Sequence, residues 1–286
     1  FHNAKEKISK QLGDGNLLSQ LTKTIVVYDF RQNDLKKGGQ GAPLTPIFHT
    51  IINKKLKNLK KIRVITLKNN LGSQKAIAIG LNYLSKIKSK FFITVMDCDG
   101  EDNPKKVKIM LNAAYKNKDS VITSNRKQRK ESFLIILLYK IHLLITYFFT
   151  FKWMSFGNFT TFYSKNLFKI LSNNSSWYAH ASSVMYNCKI KRLYAKRKRR
   201  YYDKSNLSLK GLIEHSIRIN SVFFKTVILN SIIYIFLIYI FIPNMYGFLI
   251  IYFILLFNLI LFIIRKNHYI NNLSKIDKFI LNIKSF

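Results

Sequence analysis

The sequence predicts an α/β fold followed by a two-helix transmembrane hairpin, and three observations carry that expectation. Short apolar runs alternate with helical periodicities from Ile62 to Thr123, one of those runs closes in Asp97-Cys98-Asp99, and the stretch from Thr226 to Ile264 holds no charged residue. Strands alternating with helices build a parallel sheet, and such sheets bind ligands at the carboxyl ends of their strands.

Ile62-Arg63-Val64-Ile65-Thr66-Leu67 has the alternation and β-branching of a strand. The turn Asn69-Asn70-Leu71-Gly72-Ser73 leads into a helix from about Gln74 to Leu84, with Ala76, Ile77, Gly80, Leu81 and Leu84 expected on one face. Phe91-Phe92-Ile93-Thr94-Val95-Met96 is a continuous apolar run suited to a buried parallel strand. Asn103 as cap and Pro104 at the first helical position start the next helix, which buries Val107, Met110, Leu111 and Ala114. Val121-Ile122-Thr123 is a further strand. Asp97 and Asp99 therefore stand at the mouth of a buried strand, where two like charges call for a compensating cation.

Two segments have the length of a membrane span. Val222 to Ile242 carries one charge, Lys225, and Tyr246 to Ile264 carries none; each approaches the ~20 residues that cross a hydrocarbon core. Arg218 and Arg265-Lys266 flank the outer ends, so the domain and the tail are expected on the cytoplasmic side of a multi-pass inner-membrane protein. Phe133 to Phe151 is apolar but has Lys140 and His142 at its middle, and is expected to lie along the membrane surface or against the domain. The first ~25 residues lack the apolar core of a signal peptide.

Lys and Arg number 48 against 13 acidic residues, a formal charge of +35, while 48% of residues are hydrophobic and 14% aromatic. That aromatic content excludes a disordered basic tail. Codon drift toward Lys, Asn and Ile inflates the charge. Eight of the twelve residues from Lys189 to Arg200 are basic, and they precede the hairpin. Anionic headgroups or a lipid phosphate are the expected partners, rather than nucleic acid. Cys98 and Cys188 have no metal-binding spacing and predict no disulfide framework.

Asn70-Leu71-Gly72-Ser73-Gln74-Lys75-Ala76 and Met96-Asp97-Cys98-Asp99-Gly100-Glu101-Asp102-Asn103-Pro104 together resemble a family 2 glycosyltransferase of the polyprenyl- or dolichyl-phosphate type. Ser124-Asn125-Arg126 is similar to that group's Gly-x-Arg segment. Arg200-Tyr201-Tyr202-Asp203-Lys204-Ser205-Asn206 is similar to its Arg-x-x-Gly-x-Ser-Lys stretch, with Asp203 and Asn206 departing from it. The resemblance covers about residues 56 to 264 and implies a partial Rossmann-like, A-type glycosyltransferase domain. It implies sugar transfer from a nucleotide-diphosphate sugar to a polyprenyl-phosphate lipid. Asp97 and Asp99 would hold Mg²⁺ or Mn²⁺, Asp102 would orient the donor sugar, and Asn70, Gly72, Arg126, Arg200 and Ser205 would line the substrates. The strand, helix and aspartate-ended second strand with which that family begins have no counterpart before Ile62, which implies an impaired nucleotide site.

The first fifty residues have another character. Gln11-Leu12-Gly13-Asp14-Gly15-Asn16, then Asp29-Phe30-Arg31, then Gly38-Gly39-Gln40-Gly41-Ala42-Pro43-Leu44 resemble anhydro-N-acetylmuramic acid kinase. The resemblance makes Asp29 the base that activates water and sets Arg31, Gly38, Gly39, Gln40 and Gly41 around the sugar. It stops near Ile52, and the rest of an ATP site is not recognisable. The expected organisation is a kinase-like fragment (1–52), a transferase-like domain (53–218), the hairpin (219–264) and a basic cytoplasmic tail (265–286). The alternatives are an amino-sugar kinase and a non-catalytic basic membrane protein.

Overall fold

The computed structural model describes residues 2–3, 8–9, 63–97, 102–126, 133–195, 209–270 and 273–285. The chain forms two compact units, residues 1–70 with 279–286, and residues 71–278. The architecture is mixed α/β.

In the first unit, β1 (Arg63–Leu67) is the strand expected from its alternation. Its partner is not. It pairs antiparallel with the C-terminal run Ile280–Ser285, from Arg63↔Ser285 to Leu67↔Ile280, and Lys68 N donates to Phe279 O at 2.9 Å beyond the ladder. Ile280, Leu281 and Ile283 give that run β-character, so the last part of the basic tail is a strand. His2–Asn3 and Ile8–Ser9 form a further small antiparallel ladder.

The second unit begins with α1 (Ser73–Ser85), followed by β2 (Phe92–Val95), α2 (Lys105–Lys116), β3 (Ser120–Arg126) and α3 (Phe133–Thr150). Then come β4 (Phe156–Tyr163), the short helices α4 (Leu167–Leu171), α5 (Ser175–Tyr178) and α6 (His180–Asn187), and β5 (Lys189–Ala195). The order in the sheet is β2-β4-β3-β5. β3 and β5 are parallel, but β4 runs antiparallel to both β2 and β3. The expected all-parallel sheet is thus corrected to a mixed one. β2, α2 and β3 still make a strand–helix–strand crossover, with β4 threaded between the two parallel strands. The basic run expected to face anionic headgroups or a lipid phosphate begins as β5, whose register with β3 runs from Ser120↔Lys189 to Arg126↔Ala195.

The cap of α2 follows expectation. Asn103 Oδ1 accepts from Lys105 N at 3.2 Å, and Lys106 N bonds Asn103 O at 2.9 Å, so Asn103 satisfies donors that the first turn leaves open. Met110 and Ala114 pack beneath the sheet on Ile122 and Phe159. The buried face of α1 differs from the expected one. Ala76 is exposed, whereas Gln74, Ala78, Ile79, Leu81 and Asn82 are buried. Two polar side chains on an inward face require partners, and those of Gln74 lead to the candidate site.

α7 (Leu209–Val222) leads into α8 (Phe224–Phe241) and α9 (Met245–Asn267). α8 and α9 are long and apolar enough to cross a membrane by length and composition, and 17% of each apolar window is buried within the chain. Asn244 Oδ1 caps α9 by accepting from Gly247 N at 3.1 Å. A Cβ at Gly247 would lie 1.9 Å from Ile242 O, so only glycine permits this tight reversal. α3 packs its polar stripe inward. His142 Nδ1 meets Ser216 Oγ at 2.6 Å, and Asn220 Nδ2 donates to Thr146 Oγ1 at 3.2 Å. Leu137, Ile141, Leu144 and Phe148 are left exposed on the other side. Asn230 Nδ2 and Tyr234 Oη donate to Phe149 O (2.8 Å) and Phe148 O (2.6 Å), satisfying carbonyls at the open end of α3.

Candidate active site

The site is built where β2 ends. The β2–β4 register runs from Phe92↔Tyr163 to Val95↔Thr160. Continued two residues past the ladder, it sets Asp97 opposite Asn158, on the same face because strand side chains alternate with period two. Asn158 Nδ2 donates to Asp97 Oδ1 at 3.2 Å. Gln74 Nε2 donates to Asn158 Oδ1 at 3.2 Å. His180 N donates to Gln74 Oε1 at 2.8 Å. The negative end dictates the polarity of the chain. A carboxylate only accepts, so Asn158 presents its NH₂ to Asp97 and its oxygen to Gln74, which in turn offers its oxygen to the backbone of α6. One carboxylate is thereby oriented by three elements, α1, β4 and the start of α6.

A second bond closes the loop after β2. Asp97 N donates to Asp102 Oδ2 at 2.9 Å, so Asp102 braces the strand exit. Gly72 precedes α1 at φ 79° and ψ 163°, a conformation that is essentially glycine-only. It lets the chain turn into α1 so that Gln74 enters the interior. Behind these groups His180 is fully buried, and its Nε2 lies 2.8 Å from Thr160 Oγ1. Burial lowers the His180 pKa to about 4, so the ring is neutral at pH 7 and adds no charge beside Asp97.

Of the residues that the sequence motifs point to, Asp97, Asp102 and Gly72 stand at this β2–α1 edge. Asn70 is exposed, in the turn after β1, and belongs to the first unit. Arg126 is the last residue of β3, opposite Ala195 of β5; its side chain lies outside the described residues. Asp99, Arg200 and Ser205, with Asp29, Arg31, Gly38, Gly39, Gln40 and Gly41, also lie outside them. Among the described residues no three His, Cys, Asp or Glu side chains gather as a metal site. Asp97 and Asp102 are hard oxygen donors of the type that Mg²⁺ or Mn²⁺ takes. The sequence motifs do not point to Asn158 or His180, and give Gln74 no role. The signal for Gln74 is a polar side chain at a position that helical spacing turns inward.

Comparison with known proteins finds two families, whose matched ranges overlap over residues 45–73. Residues 45–178 match the family described as Glycosyl transferase family 2, a range that includes Gln74, Asp97 and Asn158. Residues 1–73 match the family described as Anhydro-N-acetylmuramic acid kinase. The chain is 71% identical over 52 residues to the anhydro-N-acetylmuramic acid kinase of Pelagibacter ubique (strain HTCC1062), covering 18% of this chain and 14% of that protein. The enzyme of that name from Brucella anthropi is 54% identical over 44 residues, 15% of this chain and 12% of that protein. The one from Agrobacterium fabrum (strain C58 / ATCC 33970) is 47% identical over 56 residues, 20% of this chain and 15% of that protein. The chain therefore spans only 12–15% of the length of these curated relatives. The chain thus carries an N-terminal segment similar to anhydro-N-acetylmuramic acid kinase and a following segment that matches glycosyl transferase family 2.

Proposed function

We propose that the chain is a membrane-anchored glycosyltransferase that moves a sugar from a nucleotide-diphosphate donor to a polyprenyl-phosphate-type lipid. The observation that carries this reading is Asp97, at the exit of β2 within the matched family range, held by the Asn158–Gln74 relay. Asp97 and Asp99 would hold Mg²⁺ or Mn²⁺, which when bound supplies positive charge against the departing diphosphate. Asn158 fixes the direction of the Asp97 carboxylate, and Asp102 holds the loop that presents it. Arg126 and Arg200 are assigned to donor or acceptor phosphates, which suit the guanidinium fork. A phosphate acceptor is already ionised at neutral pH, so the reaction needs no general base.

α8 and α9 anchor the domain at the inner membrane, with the exposed apolar side of α3 against lipid and the catalytic domain on the cytoplasmic side. The reading is tested by Mn²⁺-dependent binding of nucleoside diphosphates to the full chain in detergent. Asp97→Asn is expected to abolish the Mn²⁺ dependence; equal Mn²⁺-dependent binding by wild type and variant would refute the reading.

A second reading, amino-sugar phosphorylation, is favoured by the 71% identity of the N-terminal segment. It assigns Asp29 as the base and Gly38 to Gly41 as the sugar-binding loop. ATP-dependent phosphorylation of anhydro-N-acetylmuramic acid by the chain, lost in Asp29→Asn, is the outcome that would favour it over transfer.

A further inference from the structure

Where α7, the end of α9 and α1 come together, positive charge accumulates with little among the described residues to balance it. Arg218 of α7 has Nε and Nη2 buried without a hydrogen-bond partner. Lys75 of α1 lies over the Trp177 ring of α5, its Nζ 5.1 Å from the centroid. Among the described residues the acid in this group is Glu214, and it is already engaged, with Oε1 3.0 Å from His268 Nε2. The basic groups act on one another. Burial lowers the pKa of Lys75, and the Arg218 charge lowers it further. Burial and then Arg218 also hold His215 down at about 4 and depress His268.

The level of this group in the fold is set by Arg265. Its Nη1 donates to Ser221 O at 2.7 Å, and its guanidinium lies 5.0 Å from the Phe224 ring and 5.2 Å from the Tyr178 ring. That contact ties the last turns of α9 to the residues just before α8. Arg218 and Lys75 thus sit at the shared open end of the two apolar helices, where a lipid headgroup would lie. Lys75 is also the neighbour of Gln74, whose amide leads through Asn158 to Asp97.

Two buried guanidinium nitrogens without a partner are costly unless a ligand completes them. The Nε and Nη2 of Arg218 point in one direction and match two oxygens of one tetrahedral group, while an ammonium supplies a point charge to the third. We propose that Arg218 and Lys75 form a binding site for a phosphate monoester at the membrane boundary. The placement at that boundary rests on the membrane reading above; the charge arrangement does not.

The test uses the full chain in phosphatidylcholine nanodiscs, without metal ion or nucleotide sugar, so its result is independent of sugar transfer. Short-chain phosphatidic acid, the matching phosphatidylglycerol and inorganic phosphate are titrated in separate arms. Phosphatidic acid should bind wild type about tenfold tighter than the diester, and Arg218→Gln and Lys75→Gln should each weaken it by about tenfold. Lys169→Gln, an exposed charge on α4, should leave it unchanged. Inorganic phosphate competing at equal affinity supports the site with free phosphate as its source; weak competition supports it with lipid as its source. Equal affinity for monoester and diester, or unchanged binding in both variants, would overturn the proposal. Should Arg218→Gln fail to give a cooperative melt, the half-buried Lys75 carries the test through Lys75→Gln.

Discussion

An amide that donates to a carboxylate orients it without neutralising it, so Asn158 leaves the charge of Asp97 available to a cation. Outer partners of this kind typically change metal affinity by about 10–100-fold when removed. Asn158→Ala is therefore expected to weaken Mn²⁺ binding by about that factor, read by electron paramagnetic resonance; an unchanged affinity would show that Asp97 needs no support. Asp97 was legible in the sequence because a carboxylate closing a buried apolar run has no packing role. Asn158 was not, since only the register of an antiparallel strand some sixty residues away brings it opposite. His180 gives a pH signature. Its folded pKa of about 4 lies below the unfolded 6.5, so the stability from burying the neutral ring is present above pH 6.5 and is lost as pH falls toward 4. His215, also at about 4, acts in the same direction. Denaturant midpoints should fall from pH 7 to pH 5, and His180→Gln should flatten the slope; a flat wild-type profile would contradict the buried neutral ring.

At the scale of elements, helices with marked periodicity and the two apolar spans were legible, because local burial decides them. The expected hairpin of 222–242 and 246–264 becomes α8 at 224–241 and α9 at 245–267. Strand pairing was less legible. β1 has the pattern of a strand but finds its partner more than two hundred residues on, and nothing local in Arg63–Leu67 distinguishes that partner from β2. β4, which overturns the all-parallel expectation, reads as Phe-Gly-Asn-Phe-Thr-Thr-Phe-Tyr. Its Gly and Asn weaken the strand signal. The reversal between α8 and α9 carries a sharp test. Gly247→Ala places a methyl against Ile242 O and must displace backbone, at a cost of roughly 1–3 kcal/mol. The variant should melt lower and yield faster proteolysis near 242–247. Wild-type stability would mean that the reversal is looser than described.

On the scale of the whole molecule, +35 and 48% hydrophobic residues are reconciled by separation: a charge-free apolar stretch from Thr226 to Ile264 within α8 and α9, basic residues elsewhere. Among the described residues, positive charge is drawn inward at the Arg218–Lys75 group, at the end of those helices. The match to Glycosyl transferase family 2 covers 45–178; it takes in Lys75, whereas Arg218 and both apolar helices lie beyond it. The sugar-transfer reading thus rests on the matched domain, and the choice of a lipid acceptor on α8, α9 and the basic residues at their open end. Transfer itself is the most direct measurement of both. Chain in nanodiscs containing polyprenyl phosphate is incubated with Mn²⁺ and a panel of radiolabelled nucleotide-diphosphate sugars, and the butanol-extractable label is counted. Label is expected in the lipid phase for one donor, dependent on Mn²⁺ and absent in Asp97→Asn; no label from any donor, or label undiminished in Asp97→Asn, would contradict sugar transfer to lipid by this chain.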